Sequence, residues 1–340
     1  RAAVHKKVIF RRTAILGAGS WGTALAVLWA RGGREILLWG HNPARVARLR
    51  ASRMNEACLP GIPLPDSVKL TSDLAECADC DLIVLVTPST AIRETCNQAK
   101  PYVADNAVLL SCTKGVEHGT GLRMSEIVAE VLPEHTVAVL SGPNLAAEVS
   151  RGLPSATVLG CRDHACAEKL QQHLGSPHFR IYSSDETTGI ELGGALKNVF
   201  AVTAGVSDGL GLGDNAKAAL VTRALAELLR LGTAMGGKVE TFYGLSGAGD
   251  LIATCFSEKS RNRLAGEYLG RGRSIPEITA SMQMVPEGIP TTRSAYECAR
   301  RLNVDTPIID QAYALVYEQR QPADALQELL SRDQKAERAR

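Results

Sequence analysis

The first half of the chain alternates short apolar runs with segments whose apolar residues recur at helical spacing. The runs have the length of buried strands, and the segments between them, such as "PARVARLRASR" and "SEIVAEVL", are amphipathic. This alternation predicts an α/β fold with a doubly wound parallel sheet, in which helices cover both faces. The predicted strands are residues 14–17, 36–40, 82–88, 107–114, 136–143 and 155–161.

The pattern changes near residue 185. From there the chain has long Ala- and Leu-rich stretches, in which Val221, Leu225 and Leu228 recur at helical spacing. Later segments such as "TTRSAYECARRLN" and "PIIDQAYALVYEQ" continue this pattern. We therefore expect an α/β domain over residues 1–185 and an all-α C-terminal domain over residues 186–340, an organisation that fits a chain of 340 residues.

Composition and charge narrow the class of protein. Hydrophobic residues make up 45% of the chain and charged residues 22%, which is ordinary for a globular protein. The net charge of +2 predicts no nucleic-acid partner. No apolar run approaches the roughly 20 residues that span a bilayer, so we expect no stable membrane insertion. The nine cysteines lie within or beside apolar runs, as in a reducing compartment, and we expect a cytoplasmic protein.

Cys77 and Cys80 form a C-x-x-C pair. A structural zinc site needs four ligands, and a redox-active pair needs a thioredoxin-like setting. The sequence offers neither a second such pair nor that setting, so we expect no metal ion.

A G-x-G-x-x-G motif, formed by Gly17, Gly19 and Gly22, follows the first apolar run and opens a helical segment. In this setting the first glycine permits a tight turn, the second lets a pyrophosphate approach the backbone, and the third allows the helix to pack closely on the strand. The helix N-terminus then offers free N–H groups to the anion. The motif predicts a Rossmann-type dinucleotide-binding domain; the alternative is a structural turn.

The end of the second predicted strand bears on the choice of cofactor. Sites that select NAD carry an Asp or Glu about 20 residues after the glycines to bind the ribose 2′-hydroxyl. No carboxylate directly follows Trp39; instead His41, Arg45 and Arg48 offer positive charge to a 2′-phosphate. We therefore expect NADP(H) to be favoured, with NAD(H) as the other possibility. The alternative is that the arginines only cover an exposed helix.

Two lysines are candidates for catalysis. Lys114 follows a predicted strand, and the loops at the carboxyl ends of strands carry the chemistry of open α/β sheets. Lys197 interrupts the small, apolar stretch "GIELGGALKNVFAV". Burial would lower the pKa of Lys197 toward the range useful for proton transfer, so this lysine is a candidate general acid. The alternative is a lysine that extends from its helix into solvent.

Two further segments offer partners for a catalytic lysine and for an anionic substrate. Asp250 follows the glycine-rich bend "GLSGAG", where it either caps a helix or holds the ammonium of Lys197. Ser260, Arg261 and Asn262 open another predicted helix, and they place a hydroxyl, a guanidinium and an amide beside its free N–H groups. That combination is typical of a phosphate site, although a capped surface helix uses similar residues.

Seven motifs, spread over about residues 12–335, occur in the order and spacing found in one known family: "GAGSWGTALA", "WGHNP", "SGPNLAAEV", "ELGGALKNVFAV", "GLSGAGDL", "SRNR" and "VPEG". In their order and spacing the chain resembles the bacterial-type NAD(P)-dependent glycerol-3-phosphate dehydrogenases. The resemblance implies a Rossmann domain followed by an α-helical domain, and a homodimer. It also implies reversible reduction of dihydroxyacetone phosphate to sn-glycerol 3-phosphate for phospholipid synthesis.

The resemblance implies roles for individual residues. Lys197 would be the catalytic acid or base, with Lys114 and Asp250 beside it. Trp21 stands where relatives have Tyr or Phe, and Asn144 where they commonly have Ser or Thr. Together with the glycine motif, the resemblance implies cofactor contacts for Gly17, Gly19, Ser20, Trp21, Gly22, His41, Lys114, Ala146, Arg261, Val285 and Glu287. It implies substrate contacts for Lys114, Gly142, Asn144, Lys197, Asp250, Ser260, Arg261 and Asn262.

Two other functions remain open at this point. One is a different dehydrogenase of the two-domain class, acting on 6-phosphogluconate or a 3-hydroxyacid, and the other is a nicotinamide-binding sensor without catalysis. The combination of "SRN" with "GAGD" favours the glycerol-3-phosphate dehydrogenases over the first. The presence of both Lys197 and Asp250 argues against the second.

Overall fold

The computed structural model describes residues 10–282, 284 and 286–333. Its strands are β1 (Arg12–Leu16), β2 (Glu35–Trp39), β3 (Val68–Thr71), β4 (Leu82–Leu85), β5 (Val108–Ser111), β6 (Val137–Ser141), β7 (Ser155–Gly160) and β8 (Phe179–Ser184). They form one eight-stranded sheet in the order β3-β2-β1-β4-β5-β6-β7-β8. Strands β2 and β3 are added on one side of β1, and strands β4 to β8 on the other. The boundary between β1 and β4 is therefore a topological switch point, where a crevice opens above the strand ends.

The sheet is parallel except where β6 meets β7, which pair antiparallel. The predicted doubly wound architecture is confirmed, with this one difference from a wholly parallel sheet. Strands β3 and β8 were not among those predicted. Lys69 in β3 and Arg180 in β8 are exposed and interrupt the apolar pattern of these segments, unlike the continuous apolar runs of the inner strands.

Helices cover both faces of the sheet because neighbouring strand residues point to opposite sides. Ile15 belongs to the core beneath one helical layer, whereas Leu16 belongs to the core on the other face. The first core takes residues from α1, α2 and α6, and the second from α3 and α4. The helices of this part are α1 (Ser20–Arg31), α2 (Pro43–Ser52), α3 (Ile92–Ala99), α4 (Met124–Val131), α5 (Ala146–Val149) and α6 (His164–Leu174).

The second part of the chain is helical, as predicted, and is built around one buried helix, α7. Its neighbour α11 packs so closely that a Cβ added at Gly266 would lie 1.9 Å from the Val202 carbonyl oxygen. A Cβ at Gly205 of α7 would likewise lie 1.9 Å from the Arg263 carbonyl oxygen, so the glycines of both helices allow this close packing. The helices are α7 (Thr187–Gly209), α8 (Gly213–Ala234), α9 (Val239–Phe242), α10 (Asp250–Phe256), α11 (Arg261–Gly270), α12 (Ile275–Ser281), α13 (Gly288–Arg301), α14 (Pro307–Tyr317) and α15 (Pro322–Leu330).

Within the described residues, no helix has both the length and the apolar character that a membrane crossing requires.

Candidate active site

A cavity of about 1470 Å³ lies between the carboxyl ends of the strands and the helical domain. Most of the candidate residues line it, although they come from distant parts of the chain. Gly22, Gly142 and Arg48 are not among the lining residues, and Val285 lies outside the described residues. The lining candidates are Gly17, Gly19, Ser20, Trp21, His41, Arg45, Lys114, Asn144, Ala146, Lys197, Asp250, Ser260, Arg261, Asn262 and Glu287.

The glycine motif forms the turn between β1 and α1. Gly17 has φ +131°, and a Cβ there would lie 2.5 Å from the Val86 carbonyl oxygen of the neighbouring strand end. A Cβ at Gly22 would lie 1.9 Å from the Gly17 carbonyl oxygen, so this glycine packs the helix against the turn. Gly19, the N-cap of α1, has no side-chain cap, and α1 begins at Ser20 beside the cavity. These features fit the pyrophosphate of a dinucleotide.

The end of β2 presents positive charge to the same cavity. His41 and Arg45 line it, and Nη2 of Arg45 lies 2.5 Å from Sγ of Cys58 and 3.5 Å from Oδ1 of Asn55. Arg48, one turn further along α2, is exposed and does not line the cavity. The alternative that the arginines only cover an exposed helix is therefore correct for Arg48, whereas Arg45 lines the cavity.

Lys197 and Asp250 form a buried ion pair, with 2.9 Å between Nζ and Oδ1. Lys197 is only 6% exposed, so the alternative of a lysine extending into solvent is wrong. Asp250 is the first residue of α10 and does not cap it; its carboxylate binds Lys197 and also Lys114, whose Nζ lies 2.5 Å from Oδ2. Lys114 also donates to the Gly142 carbonyl oxygen at 3.0 Å. One carboxylate is thus shared by two ammonium groups.

Burial and the neighbouring charges set the protonation of this cluster. Burial lowers the pKa of Lys197 to about 8; Asp250 opposes this effect, and Lys114 adds to it by charge repulsion. Burial would raise the pKa of Asp250, but Lys114 and Lys197 outweigh it and hold the pKa below its ordinary value. Asp250 therefore stays ionised while Lys197 titrates near physiological pH, as a proton-transfer group must.

Thr254 belongs to this cluster, although the sequence reasoning missed it. Its hydroxyl lies 2.7 Å from Nζ of Lys197, where it accepts, and 3.1 Å from Oδ1 of Asp250, where it donates. An available signal was the i, i+4 spacing of Asp250 and Thr254 on one helix. An ammonium has three donors, and Lys197 uses two on Asp250 and Thr254, which leaves one for an oxygen atom in the cavity.

The "SRN" segment opens α11 at the same cavity. Ser260 caps the helix by accepting from the Arg263 N–H at 3.2 Å, so the capping alternative is correct for this residue. Arg261 is exposed, lines the cavity and makes no ion pair with any described residue. Asn262 donates to Oδ1 of Asn198 at 2.8 Å and accepts from the Gly288 N–H at 2.9 Å, so its amide joins α11, α7 and α13.

Two candidates bind groups outside the cavity interior. Asn144 donates from Nδ2 to the Ala156 carbonyl oxygen at 3.0 Å, which ties its loop to β7. Glu287, just before α13, accepts from the Ser89 backbone N–H at 3.1 Å and from the Ser89 hydroxyl at 2.6 Å. Burial raises the pKa of Glu287. This carboxylate therefore joins the helical domain to the loop after β4.

Nothing in the described part of the chain resembles a metal site, since no group of three or more His, Cys, Asp or Glu side chains is placed to hold an ion. Cys77 and Cys80 are buried, and burial raises the pKa of both thiols.

The fold and the cleft together define a class: oxidoreductases that bind a dinucleotide on a Rossmann domain and complete the site with a helical domain. Within that class, residues 12–167 match the family described as NAD-dependent glycerol-3-phosphate dehydrogenase N-terminus. Residues 186–327 match the corresponding C-terminus. The chain belongs to this family, and it is an enzyme that uses a nicotinamide cofactor.

Individual relatives are similar to this chain over nearly its whole length. A glycerol-3-phosphate dehydrogenase [NAD(P)+] from Syntrophotalea carbinolica is 46% identical over 327 residues, covering 95% of this chain and 98% of the relative. One from Geobacter sulfurreducens is 45% identical over 331 residues, covering 96% and 99%. The crystal structure of glycerol-3-phosphate dehydrogenase from Coxiella burnetii superposes with a TM-score of 0.92 at 38% identity, covering 95% of this chain and 100% of that one. The resemblance inferred from the motifs is confirmed.

Proposed function

We propose that this enzyme reduces dihydroxyacetone phosphate to sn-glycerol 3-phosphate, reversibly, and so supplies glycerophospholipid synthesis. The observation that carries the proposal is the buried ion pair of Lys197 and Asp250 at the wall of a cavity that also holds the glycine turn. The relatives named above are glycerol-3-phosphate dehydrogenases, and both parts of the chain match that family. These matches leave no support for the 6-phosphogluconate or 3-hydroxyacid class, or for a sensor without catalysis.

In the mechanism we propose, Lys197 is the general acid. A nicotinamide cofactor held at the glycine turn of Gly17 and Gly19 would supply the hydride for the C2 carbonyl carbon. Lys197 donates a proton from Nζ to the carbonyl oxygen, and Asp250 together with Thr254 holds the ammonium in place. Lys114 adds positive charge on the other side of Asp250 and stabilises the developing alkoxide. In the reverse direction neutral Lys197 accepts the proton from the alcohol.

The substrate phosphate binds at the start of α11 in this proposal. Arg261 brings a guanidinium that has no carboxylate partner among the described residues, and the helix N-terminus adds its N–H groups. Asn262 and Ser260 contribute an amide and a hydroxyl beside it. Binding of the remote phosphate orients the carbonyl at Lys197, so a substrate without phosphate should lose turnover as well as affinity.

For the cofactor we propose a preference for NADP(H), with NAD(H) also accepted. Support comes from the end of β2, where His41 and Arg45 line the cavity and no carboxylate directly follows Trp39. Arg48 plays no part because it does not line the cavity. Other cofactor contacts proposed from the cavity lining are those of Gly17, Gly19, Ser20, Trp21, Lys114, Ala146, Arg261 and Glu287.

We propose that residues 1–185 and 186–340 form the two domains, which the start of the C-terminal family match at residue 186 supports. All nine cysteines are free, which supports a cytoplasmic location. A homodimer rests on the family resemblance, and light scattering of the purified protein tests it. The net charge of +2 supports the absence of a nucleic-acid partner.

The experiment that tests the proposed function is oxidation of NADPH and of NADH by the purified enzyme. Dihydroxyacetone phosphate should support oxidation, and dihydroxyacetone should do so far less well at equal concentration. Absence of oxidation with both cofactors would refute the proposed reaction. Equal rates with the phosphorylated and unphosphorylated ketone would refute the phosphate site.

A further inference from the structure

The segment that carries Lys114 is fastened to the helical domain at both ends. Lys114, at its start, binds Asp250, and Arg123, directly before α4, binds Glu191 of α7. Between them Val116 is buried in the hydrophobic core of the helical domain. The loop that follows β5 therefore belongs to the Rossmann domain by connectivity and to the helical domain by packing.

Glu191 is held from several directions. Its Oε1 accepts from the Ser125 backbone N–H at 2.8 Å, and its Oε2 accepts from the Ser125 hydroxyl at 2.6 Å and from the Arg123 guanidinium. Arg123 also binds Glu126 at 2.8 Å. The carboxylate thus sits at the N-terminus of α4, where a negative charge is favourable.

The ion pair of Arg123 and Glu191 crosses the boundary between the two domains and is largely shielded from solvent. The side chains of Arg123 and Glu191 are 9% and 5% exposed. Burial raises the pKa of Glu191, while Arg123 and Ser125 act in the opposite direction. Leaving one partner of a buried pair without the other is costly, so the contact favours a single relative placement of α4 and α7.

Glu191 and Lys197 lie on the same helix, less than two turns apart. Between them Gly194 packs against the end of β6 so closely that a Cβ there would lie 2.2 Å from Oγ of Ser141, and 3.6 Å from Cδ of Lys114. A shift of α7 along or away from the sheet would therefore move Lys197 relative to Lys114. Neither Arg123 nor Glu191 lines the cavity.

We propose that Arg123 and Glu191 are positioning residues, which join the loop of Lys114 to the helix of Lys197 and so hold both ammonium groups on the carboxylate of Asp250. This inference rests on the proposed function, because it concerns the placement of the proposed general acid. Neither residue contacts the reacting atoms; each acts through the element that it fixes.

The test is Glu191→Gln, which removes the charge and keeps the size of the side chain. We expect kcat for dihydroxyacetone phosphate reduction to fall by roughly tenfold or more, since small displacements of catalytic groups have effects of that size. KM for NADPH should change much less than kcat, because Lys114 is only one of the proposed cofactor contacts and the glycine turn is not involved. The matched control is Glu130→Gln on the same α4, which removes an exposed pair with Arg93 of α3 and should leave kcat unchanged.

The pH profile separates positioning from a loss of folded protein. Lys114 helps to lower the pKa of Lys197, so a looser Lys114 should move the midpoint of the kcat/KM profile upward from about 8. A purely structural role would reduce the concentration of active sites, measured by NADPH binding, and leave the midpoint in place. The inference would be overturned if the midpoint of the kcat/KM profile stayed in place and kcat, divided by the concentration of NADPH-binding sites, was unchanged.

A second variant keeps the test decisive if Glu191→Gln does not fold. Ser125→Ala removes one hydrogen bond to Oε2 and leaves the ion pair, so it should give a smaller loss of kcat, about threefold, with the same direction of pH shift. No change in either quantity would overturn the inference. Lys197→Met in the otherwise unchanged enzyme tests the proposed function separately. If Lys197→Met kept its turnover, the proposed function would be refuted. If only the Glu191 and Ser125 variants kept normal kcat and a normal pH midpoint, the positioning role would be refuted and the proposed function would stand.

Discussion

The ammonium of Lys197 lies 2.9 Å from Oδ1 of Asp250, in a part of the cavity wall from which water is largely excluded. The other oxygen of that carboxylate is bound by Lys114, so the cluster carries one more positive than negative charge when Lys197 is protonated. A net positive charge beside the carbonyl oxygen favours the alkoxide that develops on it. When Lys197 loses its proton, the remaining pair is neutral and the group can act as a base.

The first prediction concerns pH. The pKa of Lys197 is lowered to about 8, first by burial, and reduction needs its protonated form. We expect kcat/KM for dihydroxyacetone phosphate to be constant at lower pH and to fall as the pH rises through about 8. Oxidation of glycerol 3-phosphate needs the neutral amine, so its kcat/KM should rise through the same range. Steady-state kinetics in both directions measure this, and parallel pH profiles in the two directions would contradict the assignment.

The second prediction concerns the phosphate site. Arg261→Met should raise KM for dihydroxyacetone phosphate by about 10- to 100-fold, which corresponds to the loss of a charge-assisted hydrogen bond. The weak activity of this variant on dihydroxyacetone should fall much less, because that ketone has no phosphate and only the proposed contact of Arg261 with the cofactor is lost. Arg271→Met is the matched control, since Arg271 lies exposed beyond the other end of α11 and outside the cavity. A similar rise in KM with both Arg variants would show a general charge effect.

The third prediction concerns cofactor choice. Arg45→Met should raise KM for NADPH by about tenfold, as expected when one phosphate contact is lost, and should change KM for NADH much less. Arg48→Met changes the same residue type on the same helix, but outside the cavity, and should affect neither cofactor. Equal effects of Arg45→Met on NADPH and NADH would contradict a 2′-phosphate contact.

Local pattern was enough to predict most of the sheet, because the inner strands are continuous apolar runs and the helices between them are amphipathic. It was not enough for β3 and β8, in which exposed Lys69 and Arg180 interrupt the apolar pattern. The antiparallel direction of β7 depends on how the chain returns to the sheet after α5, and local hydrophobicity does not encode this.

The candidate site could be predicted as residue types but not as contacts. Lys114 and Asp250 are 136 positions apart, and Ser89 and Glu287 are 198 apart. Their pairing depends on how the helical domain packs on the sheet, which no spacing along the chain reports. The capping role of Ser260 could be predicted, because an N-cap is a serine, threonine, aspartate or asparagine directly before a helical segment and needs no distant partner.

Lys197 transfers the proton in the proposed reaction, and a comparison of Lys197→Met with the unchanged enzyme tests this role. The account predicts that kcat for dihydroxyacetone phosphate reduction falls by about 100-fold or more, the scale of positioned acid–base catalysis, while NADPH binding stays close to normal. The fall in rate above pH 8 should disappear from the residual activity. A Lys197→Met enzyme that kept near-normal turnover, with the same pH profile, would contradict the account.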